Sequence, residues 1–164
     1  MKKIYNFTTD KDEISELLYN LRWTNKKIVF TNGCFDLTHS IHINLLNESK
    51  KIGDVLIVGI NSDKSVKLLK GEDRPIINEI DRTYVLSNII SVDYVIVFDE
   101  YSVEELIKFT NPDIITKGDD YNVNDLDDVG GKHMRDNNKR IELIPTRDGL
   151  RTSDIINKII KIYK

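Results

Sequence analysis

The chain has 164 residues, with 24 Lys+Arg against 27 Asp+Glu for a formal net charge of −3. That length suits one domain with its own core, and 40% hydrophobic residues exclude a disordered chain. The weakly acidic balance lacks the positive field of a general nucleic-acid binder, no run approaches the ~18 apolar residues of a membrane span, and a single cysteine excludes an internal disulfide framework.

Near the N-terminus the polar Thr8-Thr9-Asp10 leaves no room for a signal-peptide core, so the cytoplasm is the expected compartment. Asp12–Leu21 places Ile14, Leu17, Leu18 and Leu21 on one helical face, which predicts a helical extension over residues 1–25. Lys27–Thr31 is a short apolar run that reads as a buried strand. His42–Ile52 predicts a helix ending at Gly53, and Asp54–Ile60 a second strand. Helices are expected over Ser62–Leu69 and Asn78–Ile90, with a loop at Lys70–Pro75 between them. Val92–Phe98, Asp113–Thr116 and Lys139–Ile144 read as three more strands, and Val103–Phe109 as a helix stopped before Pro112. Tyr121–Asn138 is polar and unassigned, with a flap over the acceptor as its expected use. Thr152–Ile162 closes the chain as a helix with Ile155, Ile156, Ile159 and Ile160 on one side.

Continuous β-branched runs alternating with helices predict a parallel sheet covered on both faces. The expectation is a single α/β domain, doubly wound and Rossmann-like, with about five strands. Ligands of such folds sit outside the carboxyl ends of the strands. After the first strand comes Asn32-Gly33-Cys34-Phe35-Asp36-Leu37-Thr38-His39-Ser40-Ile41-His42. Gly33 lets the backbone approach a ligand, and the following helix offers N–H groups and a positive dipole end suited to phosphate. His39 and His42, three apart, are neighbours at the start of that helix. They could donate to phosphoryl oxygens, serve as surface polarity, or form a metal triad with Asp36, although no second ligand cluster supports a metal. Asp36 reads as a brace for the loop, Cys34 as a small buried residue, Trp23 as a packing residue and His133 as a surface residue without a partner. No G-x-G-x-x-G follows the first strand, which argues against a redox dehydrogenase.

Thr31-Asn32-Gly33-Cys34-Phe35-Asp36-Leu37 followed by His39-x-x-His42 resembles the HxGH nucleotidyltransferase superfamily. The resemblance is closest to the D-glycero-β-D-manno-heptose 1-phosphate adenylyltransferase domain of ADP-heptose synthases. It continues through Asn61-Ser62-Asp63-x-Ser65-Val66, Lys70-Gly71-x-x-Arg74-Pro75-Ile76, Asp81-Arg82, Val85-Leu86, Val92-Asp93, Phe98-Asp99-Glu100 and Pro112-Asp113. It ends with Lys117-Gly118-x-Asp120-Tyr121 and Gly149 before Thr152-Ser153. These enzymes are often fused to a sugar kinase, for which this chain has no room, so a stand-alone transferase is expected.

The resemblance implies a role for each matching position. His39, His42 and Lys117 would be catalytic, contacting the NTP phosphates. Thr31, Asn32, Gly33, Cys34, Phe35, Gly149, Arg151, Thr152 and Ser153 would complete the nucleotide site. Asn61, Asp63, Lys70, Arg74 and Asp120 would face the sugar phosphate. Mg²⁺ would arrive with the NTP, no metal site belongs to the protein itself, and a homodimer is expected. The implied reaction moves a nucleoside monophosphate, from ATP as the favoured donor, to a heptose 1-phosphate. It releases pyrophosphate and an NDP-sugar for surface polysaccharide such as lipopolysaccharide.

Two positions depart from the pattern. The glycine between the histidines is Ile41, whose branched side chain would crowd a base laid on the backbone. Arg151 stands where a small hydroxyl residue is usual. The alternatives are a polyol-phosphate cytidylyltransferase of the glycerol 3-phosphate type, and a catalytically impaired binding protein on the same fold.

Overall fold

The computed structural model describes residues 3–119, 126, 130–145 and 151–163. Its strands are β1 (Ile4–Asn6), β2 (Ile28–Gly33), β3 (Val55–Asn61), β4 (Tyr94–Phe98), β5 (Ile114–Gly118) and β6 (Arg140–Ile144). Its helices are α1 (Lys11–Trp23), α2 (Ser40–Lys51), α3 (Asp63–Lys70), α4 (Glu79–Ser87), α5 (Glu104–Thr110), α6 (Gly131–Asp136) and α7 (Thr152–Tyr163). All strand pairs are parallel, in the order β1-β4-β3-β2-β5-β6.

Every residue of β3 and β5 is buried, as expected of parallel strands covered on both faces. Successive side chains point to opposite faces. Ile28, Phe30, Ile57 and Ile96 join Ile14 and Leu18 of α1, Leu106 and Ile107 of α5, and Met134 of α6. Val29, Leu56, Val58 and Val95 join Leu46 of α2 and Leu86 of α4 on the other side. The doubly wound α/β expectation therefore holds.

The sheet has six strands, not five. The extra one, β1, has three residues, too few to show a period, and extends the sheet by pairing with β4. Residues 1–25 are thus more than a helical extension: β1 and α1 both contribute to the core through Tyr5, Ile14 and Leu18. Trp23 does not pack. It is 76% exposed and stacks on Tyr19, because it falls off the Ile14–Leu18 face. Within the unassigned polar stretch, Gly131–Asp136 forms α6 and buries Met134, so this part is anchored in the core rather than a flap. Residues 120–125 and 127–129 of that stretch lie outside the described residues. His133 is half-buried and has partners in Asn111 and Asn137.

The strands are aligned at their amino ends by three aspartates, each just before one strand and bonded to the next. Asp54 accepts from the Lys27 N–H, Asp93 from Leu56 and Asp113 from Ile28, each at 2.7 Å. Asp93 also holds Lys50 at 2.6 Å. These bonds fix the register at the end of the sheet away from the carboxyl ends. Asp113→Ala should lower unfolding free energy by about 1–3 kcal/mol, because the Ile28 N–H loses a charged partner. Urea denaturation checks this, and unchanged stability would show that Asp113 does not secure the register.

Candidate active site

From β2 the chain runs to β3 and β4 on one side of the sheet, then returns to β5 and β6 on the other. The direction of winding reverses between β2 and β5, and a crevice opens beyond their carboxyl ends. Lys117 on β5 is 4% exposed and points its Nζ across this crevice to the Asn32 carbonyl at 3.5 Å. The Thr31 hydroxyl donates to the Thr116 carbonyl at 3.0 Å, so Thr31 braces the strand pair beneath the crevice. The Asn32 Oδ1 is buried and has no hydrogen-bond partner among the described residues.

Beyond Gly33 the chain turns sharply. Phe35 lies in the left-handed region at φ 48°, and its buried ring folds back under the turn. A Cβ on Gly33 would sit 3.2 Å from that ring, so glycine gives it room. The turn delivers His39 at the N-cap of α2 and His42 one turn on. Their rings lie 4.0 Å apart between centroids, and the Phe35 ring lies 5.2 Å from His42. The His39 N–H donates to His42 Nδ1 at 3.3 Å. The neutral His42 ring therefore carries its proton on Nε2, where it is a donor. Burial, and then the nearby His39, lower the His42 pKa to about 4. Burial also lowers His39, whose buried Nδ1 has no partner among the described residues. The pair predicted from spacing is thus assembled as two uncharged rings. Ile41, between them in sequence, is half-buried in ordinary helix.

Several predicted acceptor ligands are bonded to the protein. Arg74 donates to Asp36 from Nε and Nη2, each at 2.6 Å. Burial alone would push the Asp36 carboxyl up. The N–H groups of Ile77 and Ile76 and the Arg74 guanidinium outweigh it and hold the carboxyl below its usual range. Asp36 is therefore the loop brace expected from sequence and is not turned toward a metal. Asn61 is buried and donates to Ser65 Oγ at 2.9 Å. Asp63 accepts from the buried Arg82 at 2.7 Å. Arg82 was quoted in the resemblance without a role; the sequence signal for it is an arginine on the apolar side of a short helix. Lys70 is exposed. Half-buried Cys34 has its thiol pushed up by burial, against the pull of Lys70, Arg82 and Arg74. Three cations therefore lie within electrostatic reach of the turn that follows β2.

The last helix comes up beside the same turn. A cavity of about 590 Å³ is lined by Leu37 and Thr38 together with Ile155 and Ile159 of α7. Thr152 and Ser153 form the first turn of α7, and the Arg151 N–H is capped by the Asp154 carboxylate at 3.0 Å. Asp120 and Gly149 lie outside the described residues. Among the described residues no three His, Cys, Asp or Glu side chains form a metal-binding group, and no helix is long and apolar enough to cross a membrane.

Comparison with known proteins places this geometry among relatives. The cytidylyltransferase-like family matches residues 30–158. The bifunctional protein HldE of Campylobacter jejuni serotype O:2 is 52% identical over 144 residues, covering 88% of this chain and 30% of that protein. HldE of a Nitratiruptor species is 45% identical over 153 residues, 93% of this chain and 32% of its own length. The chain thus spans about a third of the curated relatives it matches. The crystal structure of a lipopolysaccharide core biosynthesis protein from Thermoplasma volcanium superposes with a TM-score of 0.61 and 28% identity, over 76% of this chain and 99% of that one.

The histidine pair generates a prediction about acid. His42 is ordinarily half-protonated at 6.5 and falls to about 4 in the fold. Between those values the unfolded chain binds more protons than the folded one, so stability rises with pH. The His42 contribution is fully present above 6.5 and is lost as pH falls through about 4. An NMR titration of the imidazole signals checks this, with His42 expected far below the ordinary histidine range. A midpoint at 6.5 or above would show that the ring is not shielded as described.

Proposed function

Starting from the cytidylyltransferase-like family of nucleotidyltransferases, to which the chain belongs, we propose that it moves a nucleoside monophosphate from an NTP to a sugar 1-phosphate. ATP is the favoured donor and a heptose 1-phosphate the favoured acceptor. The products are pyrophosphate and an NDP-sugar used in lipopolysaccharide or other surface polysaccharide. The similarity to HldE proteins and to a lipopolysaccharide core biosynthesis protein supports this choice. The observation that carries it is the site itself: two neutral histidines at the start of α2, with Lys117 and the Asn32 Oδ1, which has no partner among the described residues, at the β2–β5 crevice.

The acceptor phosphate is already a nucleophile. One of its oxygens attacks the α-phosphorus of the NTP, and the bond to the bridging oxygen of pyrophosphate breaks. The protein needs to align these atoms and neutralise the charge that builds up. His42 Nε2–H and the His39 ring donate to the α-phosphoryl oxygens without first losing protons. Lys117 draws charge from the far side of the crevice. The N-terminal turn of α7, with Thr152 and Ser153, holds the departing phosphates by its N–H and hydroxyl groups. Lys70, which is exposed, pairs with the acceptor phosphate. Mg²⁺ enters as part of the NTP substrate. Phosphate and water would supply its hard oxygen ligands.

The cytidylyltransferase-like family description supports CTP as the donor of a second reading, in which the acceptor is a polyol phosphate of the glycerol 3-phosphate type. One assay separates the readings: pyrophosphate release with Mg²⁺, pairing each NTP with heptose 1-phosphate, other hexose 1-phosphates and glycerol 3-phosphate. Release with ATP and heptose 1-phosphate is expected, and His42→Ala should lower it by about 10²-fold or more. Release from no pair would overturn the transfer reading, and near-normal turnover in His42→Ala would overturn the histidine's role.

We also propose that two copies of the chain pair through α4 and α7. Ile80, Tyr84 and Val85 on α4 and Ile159, Ile160 and Ile162 on α7 are exposed apolar residues, and Val85 and Ile159 line one cavity between the two helices. The start of α4 is acidic at Glu79 and Asp81, whereas α7 carries Lys158 and Lys161. A twofold axis would lay each basic helix against the partner's acidic one, the self-complementarity an isologous dimer requires. Sedimentation velocity should find a dimer that Ile160→Asp converts to monomer; a monomeric wild type would exclude the pairing.

A further inference from the structure

The conformation of Phe35 needs an explanation. A bulky residue in the left-handed region is strained and persists only where its surroundings enforce it. The residues on either side of it are both tied to one distant segment. On one side, the Cys34 carbonyl accepts from Arg82 Nη1 at 2.6 Å. On the other, the Asp36 carboxylate, 1% exposed, accepts from the N–H groups of Ile76 and Ile77, each at 2.8 Å, and from Arg74. The two ties meet at Ile77: its N–H donates to Asp36, while its carbonyl accepts from Arg82 Nε at 2.9 Å. Arg82 also reaches the Asn61 carbonyl at the end of β3 at 2.9 Å and the Asp63 carboxylate at 2.7 Å.

We propose that Arg82 and Asp36 are positioning residues for the transfer reaction, clamping the Cys34–Asp36 turn so that Phe35 seats His42 at the crevice. This rests on the nucleotidyltransferase reading given above. Both residues border the cavity beside α7, but their polar atoms are bonded to the protein. The Arg82 side chain is fully buried, and the Asp36 oxygens are spent on segment 74–77. Their influence runs through the turn, whose Phe35 ring packs 5.2 Å from the His42 ring. His39, 4.0 Å from His42, shares the displacement because its N–H is bonded to His42 Nδ1.

The chemistry of the clamp accounts for its residue types. A buried guanidinium is tolerated only when its donors are matched, and here the fork has four oxygens from four residues in three segments of the chain. Lysine, a point charge with no planar fork, cannot satisfy that set. An apolar side chain of similar volume would fill the space but leave the Cys34 and Asn61 carbonyls free to move.

The decisive variants are Arg82→Lys and Asp36→Asn, with Asp113→Ala as a control that destabilises the opposite end of the strands. In folded Arg82→Lys, kcat should fall by about 10- to 100-fold, as sub-ångström misplacement allows, with KM for both substrates held within about twofold. The His42 imidazole midpoint should move up toward the ordinary histidine range. Asp36→Asn, which keeps its shape but loses its charge, should show the same two changes more weakly. It also carries the test if Arg82→Lys does not fold. Asp113→Ala should show neither change. If the folded variants keep both the wild-type kcat and the wild-type His42 midpoint, the clamp is only structural and the proposal fails. If wild type releases no pyrophosphate, the transfer reading fails instead, and the imidazole titration still decides whether the clamp seats His42.

Discussion

The pairing of β2 with β3 on one side and β5 on the other constrains the rest of the molecule. The chain reaches those neighbours by winding in opposite directions, which places a crevice beyond the carboxyl ends between them. Polar groups gather there: the Asn32 Oδ1, with no partner among the described residues, the Lys117 ammonium on the Asn32 carbonyl, and the first turn of α2. At the opposite ends Asp54, Asp93 and Asp113 hold the strands in register. A slip of one residue would turn Ile28 and Phe30 out of one core cluster and carry Asn32 away from Lys117.

Charge is sorted around this crevice by depth. Two of the buried ionic groups, Arg82 and Asp36, are matched by protein partners and set geometry, while the equally buried Lys117 points into the crevice. The histidines are partly buried and uncharged, because burial makes the imidazolium unfavourable. Lys70 stays exposed on the rim. A site built this way presents donors without a dense fixed positive charge at its centre. Such an arrangement suits a reaction in which negative charge only spreads and shifts among phosphoryl oxygens.

Much of the fold was legible because it depends on local periodicity. Unbroken apolar runs such as Val55–Asn61 must be covered on both sides, and β-α alternation then leaves few topologies. The His39–His42 pair was legible for a related reason: residues three apart in a helix meet wherever the helix lies. β1 was not legible, since three residues carry no period and its place depends on the free edge of β4. Trp23 was misjudged because large aromatic residues usually pack, yet the face that α1 buries is set by Ile14 and Leu18.

Asn61, Asp63 and Arg74 mark the limit most clearly. Each is a polar residue just past a strand or in the loop behind it, where a substrate ligand would stand. Each instead holds a protein partner distant in sequence or lodged in the adjacent helix: Arg82 for Asp63, Asp36 for Arg74, Ser65 for Asn61. The sequence by itself determined the covered parallel sheet, the phosphate-suited start of α2 and the histidine pair, because these follow from spacing along one element. Only the tertiary structure decided which polar groups are bonded to the protein and which remain open for a ligand. A side chain's hydrogen-bonding capacity is local, but what satisfies it comes from wherever the chain folds back.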